Sequence, residues 1–500
     1  MSTGTLGGPA YLAIDEGTTS TRVAAFSQDG ALLTQSNKTF EQFFPKPGWV
    51  EHDAEEIFRA VCETLETVLS GLGAHTPAAI GITNQRETVV VWDRATGKPV
   101  APAIVWQDRR TAAFCDALKA GGHEDDVIAR TGLLLDPYFT ATKLRWLLKN
   151  VDGLQAKARQ GKVLAGTIDA YLAYRLTGKH VTDHSNASRT LLYNLERGEW
   201  DDQLCALFGI ERAILPHIVD TAGPIGAVQG GLPGQGVPIC AIAGDQQAAT
   251  IGQACLQPGQ AKATYGTGCF LLANTGLEIK RSHNRLLSTV LSSLKGQRTF
   301  ALEGSIFVAG SLMQWLRDSL QLIESAEESE ALARSVDDSA GVVIVPALAG
   351  LGAPYWNPHA RGAILGLTRG ATRAHVVRAA LEAQSYQTHD LIVAMGRDGQ
   401  TIDTLRVDGG MVSNEWLCQD LADVLGIALE KPAVVETTAL GAAMLACLGV
   451  GDAADLKETA HMWQPNATFE PGQPKETVRA RLRLWHDAIG RVDQRALGEG

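Results

Sequence analysis

The chain has 500 residues, more than one hydrophobic core usually serves, so two domains or three are expected. With 45% hydrophobic and 20% charged residues it has the balance of an ordinary soluble protein. A formal net charge of −11 argues against nucleic acid or an anionic membrane as partner, while a locally positive phosphate site stays possible.

The first predicted elements lie in "YLAIDEGTTSTRVAAFSQDG", residues 11 to 30. Two short apolar runs, Tyr11–Ile14 and Val23–Phe26, flank a glycine–hydroxyl turn and read as a strand hairpin. Asp53, three residues before Glu56, signals a capping box, and Ile57, Val61, Leu65, Val68 and Leu69 then recur at helical spacing up to Gly71 or Gly73. "AIGITNQRETVVVWDRATGKPV" reads as two strands and a turn, and "AIVWQDRR" leads into another helix. "VPICAIAGDQQAATIGQAC" reads as strand, turn and helix. "AKATYGTGCFLLANTG", 261 to 276, repeats the opening hairpin pattern, which suggests two domains of related design, 1–255 and 256–500, divided in the loop after Cys255. Farther on, Leu312, Trp315, Leu316, Leu320 and Ile323 mark one helical face, and "LRVDGGMVSNEWLCQDLADVLG" is strand, glycine turn and helix with Leu417, Leu421, Val424 and Leu425 inward. Strand–helix alternation with short connections predicts an α/β fold.

Eight cysteines stand singly, without C-x-x-C, and twelve histidines never fall at metal-ligand spacing. That predicts reduced thiols in a cytoplasmic protein rather than a disulfide framework or zinc site. "MSTGTLGGPA" has neither the basic nor the apolar region of a signal peptide, and runs such as "GAAMLACLGVG" are too short for stable membrane insertion.

Neither a P-loop nor a G-x-G-x-x-G fingerprint after a strand is present. Yet "DEGTTSTR" holds the parts of a phosphate site in hairpin form: turn N–H groups, the hydroxyls of Thr18, Thr19 and Ser20, the cation of Arg22, and Asp15 for Mg²⁺. A surface turn of small residues reads the same way. Three further glycine turns recur at strand ends or helix starts, around Thr267, around Gly310 with Gln314, and around Gly409–Gly410 with Asn414. Such turns gather around a nucleotide in α/β proteins, though each alone is explained by backbone geometry. Arg86 and Glu87 supply the donor and acceptor a polyol needs, or form a solvated ion pair. Tyr138, Trp106 and Phe270 are pocket walls or simply core. Asp245, just past an apolar strand, is either a helix N-cap or a carboxylate placed to take a hydroxyl proton.

Taken together these stretches resemble the FGGY family of carbohydrate kinases. "YFTATKLRWLLKN" (138 to 150) and "GAILGLTRGATRAHVVRAALE" (362 to 382) match its two signatures. "FPKPGWVEHD", "GITNQRET", "IVWQDRR", "TDHSNASRT", "AGDQQAA", "TYGTGCF" and "GLGAPYWNPHARGAILGLTRG" follow the family in order across residues 11 to about 450. The resemblance implies two actin-like, ribonuclease H-like ATPase domains flanking a central cleft. It implies ATP-dependent phosphorylation of glycerol to sn-glycerol 3-phosphate, the first step of glycerol catabolism, by a homodimer or homotetramer. Carried over by motif, Thr18, Thr19, Ser20 and Arg22 meet the nucleotide phosphates, and Thr267, Gly310, Gln314, Gly410 and Asn414 line the rest of the ATP site. Arg86, Glu87, Tyr138, Asp245 and Gln246 bind glycerol between Trp106 and Phe270. Asp245 is the general base, and Asp15 with Asp245 serves Mg²⁺.

Two departures stand out. Family members acting on glycerol usually open with D-Q-G-T-T-S, whereas here Glu16 replaces the glutamine, which places a second carboxylate near the metal. The loop "QGGLPGQGVP" lacks the lysine and arginine through which enteric members sense fructose 1,6-bisphosphate; Leu232 and Gly236 stand near those places. The rival readings are another FGGY kinase, for a pentulose, gluconate or erythritol, and a non-catalytic actin-like ATPase, which has no need of Arg86, Glu87, Tyr138 and Asp245.

Overall fold

Tyr11–Ile14 and Val23–Phe26 form the centre of a hairpin, β1 (Pro9–Glu16) and β2 (Ser20–Ser27). Both runs are continuous rather than alternating because both faces of their sheet are covered. Leu12, Ile14, Val23 and Ala25 pack with Ile57, Val61, Leu65 and Val68 on one side, and Tyr11, Ala13, Ala24 and Phe26 meet Ala439, Ala442 and Ala443 on the other. The computed structural model describes residues 7–357 and 359–493, so most of the stretch read for a targeting signal lies outside the described residues.

Helix α1 (Ala54–Ser70) begins at Asp53, whose carboxylate accepts from Glu55 N at 2.8 Å, and ends at Gly71. The expected capping box is only half formed, because Glu56 turns to Glu41 N at 3.4 Å instead of back to Asp53. Strand β3 (Leu32–Thr39) precedes this helix and β4 (Thr76–Asn84) follows it. A lateral region with its own apolar cluster is built around α2 (Thr140–Asn150). Strands β5 (Ala222–Ala227) and β6 (Pro238–Gly244) complete a six-stranded sheet in the order β5-β6-β4-β1-β2-β3. Strand β6 runs straight into α3 (Asp245–Gly252), without the expected turn.

The second sheet comprises β7 (Gln260–Tyr265), β8 (Cys269–Gly276), β9 (Leu287–Leu294), β10 (Gln297–Ile306), then, beyond α4 (Gly310–Asp318) and the long α5 (Arg373–Arg397), β11 (Thr404–Asp408). After α6 (Glu415–Leu425) come β12 (Ala428–Pro432), α7 (Thr437–Val450), β13 (Pro465–Phe469) and α8 (Lys475–Val492). The order is β9-β10-β8-β7-β11-β12-β13.

The two sheets repeat one pairing pattern. From β3 through β2, β1, β4 and β6 to β5 the pairs are antiparallel, antiparallel, parallel, parallel, antiparallel. From β10 through β8, β7, β11 and β12 to β13 they are the same. The similar hairpins seen in the sequence are thus the same corner of two related α/β units. Helix α7 returns from the second half to cover the first sheet. It approaches α3 so closely that a Cβ on Gly441 would lie 1.8 Å from the Ala248 carbonyl oxygen. One expected face is shorter than its periodicity: α4 stops at Asp318 and Gln321 takes φ +54°, so Leu320 is exposed rather than inward. Among the described residues no helix is long and apolar enough to cross a membrane, and all eight cysteines are free thiols.

Candidate active site

The β1–β2 turn is closed by Gly17 N donating to Ser20 O at 3.0 Å, which holds Thr18, Thr19 and Ser20 at the strand ends. Asp15 and Arg22 are opposite one another in the hairpin register. Arg22 ion-pairs with Glu436, just before α7, so its guanidinium is already engaged. Asp15 hydrogen-bonds or ion-pairs with no side chain among the described residues. Burial pushes its carboxyl up to about 6, Arg22 opposing and neighbouring Asp245 adding to the rise. Two carboxylates in electrostatic reach, one without a partner, are the donor chemistry of a hard, oxygen-ligated cation such as Mg²⁺.

Glu16 does not join them. Strand alternation turns it to the opposite face, where it is fully buried and accepts from Thr21 Oγ1. Burial drives its carboxyl well above the ordinary range, against the Thr21 bond. That favours the neutral acid, a close isostere of the glutamine it replaces. The expectation of a second carboxylate at the metal is therefore corrected.

Arg86 and Glu87 follow the end of β4 and are both buried, which excludes a solvated ion pair. Glu87 takes φ +62°, a conformation costing roughly 1–3 kcal/mol that recurs at functional sites. Arg86 Nε lies 3.1 Å from Asp245 Oδ1. Asp245 is the first residue of α3, with Gly244 in the N-cap position, and its carboxylate is 30% exposed. The N-cap reading of Asp245 does not hold. Gln246 is buried and its Oε1 accepts from Lys262 Nζ.

Trp106, Tyr138 and Phe270 stand together, Trp106 edge-on to the other two at 5.6 and 6.3 Å between ring centroids. All three are half-buried, so they keep open faces that core residues would not. Trp106 Nε1 donates to Thr18 Oγ1 at 3.0 Å, joining this aromatic group to the hairpin turn.

Four residues that sequence reasoning passed over hold the cluster. Glu303 on β10 is fully buried and takes both terminal nitrogens of Arg86, at 2.5 and 3.1 Å, and Arg189 Nη2 at 2.9 Å. Arg189 Nε donates to Glu87 Oε1 at 2.6 Å. Burial raises the Glu303 carboxyl, but Arg189 and Arg86 outweigh it and hold it at about 2. Lys143 on α2 donates to the carbonyls of Pro137, Tyr138 and Phe139 at 3.1, 2.5 and 3.0 Å and so fixes the loop carrying Tyr138. Gln247 Oε1 completes the shell at 3.4 Å from Arg86 Nη1.

A cavity of about 370 Å³ lies beside this group, between the end of β7, α4, the segment 326–330 and the turn 410–414 that leads into α6. Thr267, Gly310, Gln314, Gly410 and Asn414 all line it. Gly409 at its edge has φ +93°, and a Cβ there would lie 2.4 Å from Tyr265 O, so only glycine allows the turn. Asn414 also caps α6 through Leu417 N at 2.9 Å. Thr18, Thr19, Ser20 and Arg22 are not in this lining; their hairpin turn meets the aromatic group through Thr18. Cavity and aromatic group share the β7–β8 hairpin, Thr267 on one and Phe270 on the other.

A partly exposed carboxylate, Asp245, stands near a glycine-lined cavity of the second of two α/β units built on one pattern, an arrangement that suits phosphoryl transfer. The chain belongs to the FGGY family of carbohydrate kinases: the family's N-terminal domain matches residues 10–252 and its C-terminal domain residues 261–450. It is 53% identical to the glycerol kinase of Alcanivorax borkumensis over 98% of this chain and 99% of that one. It is 52% identical to the glycerol kinase of Deinococcus radiodurans over 96% and 97%. Among solved structures, Plasmodium falciparum glycerol kinase with ADP superposes with a TM-score of 0.93 at 35% identity, covering 98% of this chain and 99% of that one. The fold is shared more widely: a xylulose kinase from Lactobacillus acidophilus reaches a TM-score of 0.88 at 21% identity, over 98% and 99%.

Proposed function

We propose that the chain transfers the γ-phosphoryl group of ATP to the 3-hydroxyl of glycerol, giving sn-glycerol 3-phosphate and ADP. One observation carries the choice of substrate: identity of 52–53% with curated glycerol kinases over nearly the whole chain. The site geometry supports it. Arg86 and Glu87 offer a donor and an acceptor for glycerol hydroxyls, Gln246 and Tyr138 add polar tips, and the half-buried rings of Trp106 and Phe270 suit its carbon chain.

The hydroxyl oxygen attacks the γ-phosphorus, the bond to the β–γ bridging oxygen breaks, and ADP leaves. Asp245 takes the hydroxyl proton. It need not be a strong base, since in a loose transition state the proton leaves late. Arg86 orients it from 3.1 Å. Mg²⁺, held by Asp15 and Asp245, would neutralise charge on the phosphates. Thr18, Thr19 and Ser20 offer hydroxyls to those phosphates, and Arg22 would exchange Glu436 for them. Thr267, Gly310, Gln314, Gly410 and Asn414 receive the nucleoside part. On this reading residues 1–255 carry the polyol and 256–500 the nucleotide, and the enzyme works in the cytoplasm as a homodimer or homotetramer.

Product analysis by ³¹P and ¹³C NMR tests the reaction. Phosphate on the terminal carbon of glycerol is expected. ATP turnover that needs no polyol would instead support the actin-like ATPase.

A further inference from the structure

The fold brings together three groups that sequence spacing keeps apart. His389 and Asp390 are neighbours on α5, and His486 comes from α8. Their ligand atoms all lie within 4.8 Å of one another. His486 Nε2 is 2.9 Å from Asp390 Oδ1, and His389 Nδ1 is 3.5 Å from the same oxygen. The other carboxylate oxygen, Oδ2, accepts from Trp485 Nε1 at 2.6 Å and Tyr355 OH at 2.7 Å. Those two donors fix the plane of the carboxylate and leave Oδ1 turned to both imidazoles.

We propose that His389 Nδ1, Asp390 Oδ1 and His486 Nε2 form a divalent metal site of the zinc class, with solvent in the fourth position. Ligands about 2.0–2.2 Å from a tetrahedral zinc stand roughly 3.4 Å from one another. The observed 2.9 and 3.5 Å bracket that spacing. Two imidazoles and one carboxylate suit Zn²⁺, whereas Mg²⁺ and Ca²⁺ take oxygen sets. Trp485 and Tyr355 are the outer partners that orient a ligating carboxylate. Asp390 is buried while His486 is 53% exposed, which gives an ion an open side to enter. Arg397 acts electrostatically on His486 from the end of α5 and is the cation a metal must tolerate. The simpler state, His486 hydrogen-bonded directly to Asp390, is what the metal would displace. A metal here would fasten α8 to α5, the helix whose Leu381 lines the cavity two turns earlier.

The test titrates ZnCl₂ alone into chelator-treated full-length protein, by calorimetry, with Co²⁺ absorption as a second reading. Wild type should take up a zinc ion that His389→Gln/His486→Gln does not, with affinity at this site lower by about a hundredfold or more, since loss of even an outer partner costs about 10–100-fold. The tetrahedral Co²⁺ band should vanish in the variant. Glycerol phosphorylation with Mg-ATP should be unchanged in both, which shows that the variant is folded. Equal zinc binding by wild type and variant, or none by wild type at about 100 μM, a Kd ceiling of roughly −5 kcal/mol, would overturn the proposal.

Discussion

Arg86 and Glu303, 217 residues apart in the chain, meet end to end through two hydrogen bonds of 2.5 and 3.1 Å. The first follows a strand of one sheet and the second lies within a strand of the other, so the pair crosses between the two units. With the terminal nitrogens of Arg86 taken up, its Nε is left facing Asp245.

Glu303→Ala should therefore destabilise strongly. It strands two buried guanidiniums, and removing one partner of a buried ion pair costs about 3–5 kcal/mol. Glu303→Gln keeps the shape and should mainly raise the KM for glycerol. The sign of the pH effect follows from the depressed carboxyl. Its stabilisation is complete above the unfolded glutamate value of about 4.3 and is lost as pH falls toward 2. Urea midpoints at pH 7 and pH 3 check this. A wild type and a Glu303→Gln variant that lose stability in parallel would show that Glu303 is not the group responsible.

Asp245→Asn should nearly abolish turnover while nucleotide binding stays largely intact, because the amide keeps the shape but takes no proton. Rapid-quench assays alongside ADP binding measure both. Near wild-type turnover would place the base elsewhere.

Arg86→Ala and Glu87→Gln should each weaken glycerol binding. A lost hydrogen bond to a charged group is worth about 1.5–3 kcal/mol, roughly ten- to over a hundredfold. Glycerol affinity in both variants, read from steady-state KM with product release controlled, decides it. No change in either would leave the pair with a purely structural role.

Much of this was legible in the sequence for identifiable reasons. The two hairpins declared themselves because strands covered on both faces read as unbroken apolar runs bounded by glycine turns. Arg86, Glu87 and Asp245 stand at strand ends, where motif and position agree. Glu303 was not legible: it sits inside "FALEGS", an ordinary strand stretch, and its meaning comes only from partners far away in sequence. Arg189 and Lys143 lay within quoted motifs, but nothing local shows that one braces Glu87 and the other gathers three carbonyls. The orientation of Glu16 was within reach, since a period of two puts it opposite Asp15. The end of α4 was not, because the Leu312–Ile323 periodicity continues past the turn at Gln321.

Fructose 1,6-bisphosphate should inhibit weakly or not at all at millimolar concentration. Between β5 and β6 the loop is held by its own amides, Gly231 N donating to Gln235 Oε1 at 3.2 Å, and residues 229–243 contain no lysine, arginine or histidine. A bisphosphate site needs fixed cations as well as backbone donors. No histidine lies between His217 and His283 either, so control by phosphorylation of a histidine before this loop is not expected. Half-inhibition well below millimolar would mean that basic groups from elsewhere complete a site.

Substrate choice is the central claim, and initial rates of ADP release across glycerol, erythritol, pentuloses and gluconate test it most directly. With saturating Mg-ATP, glycerol should give the highest kcat/KM, and the rate without any polyol should be negligible. A pentulose or gluconate turned over more efficiently than glycerol would contradict the account.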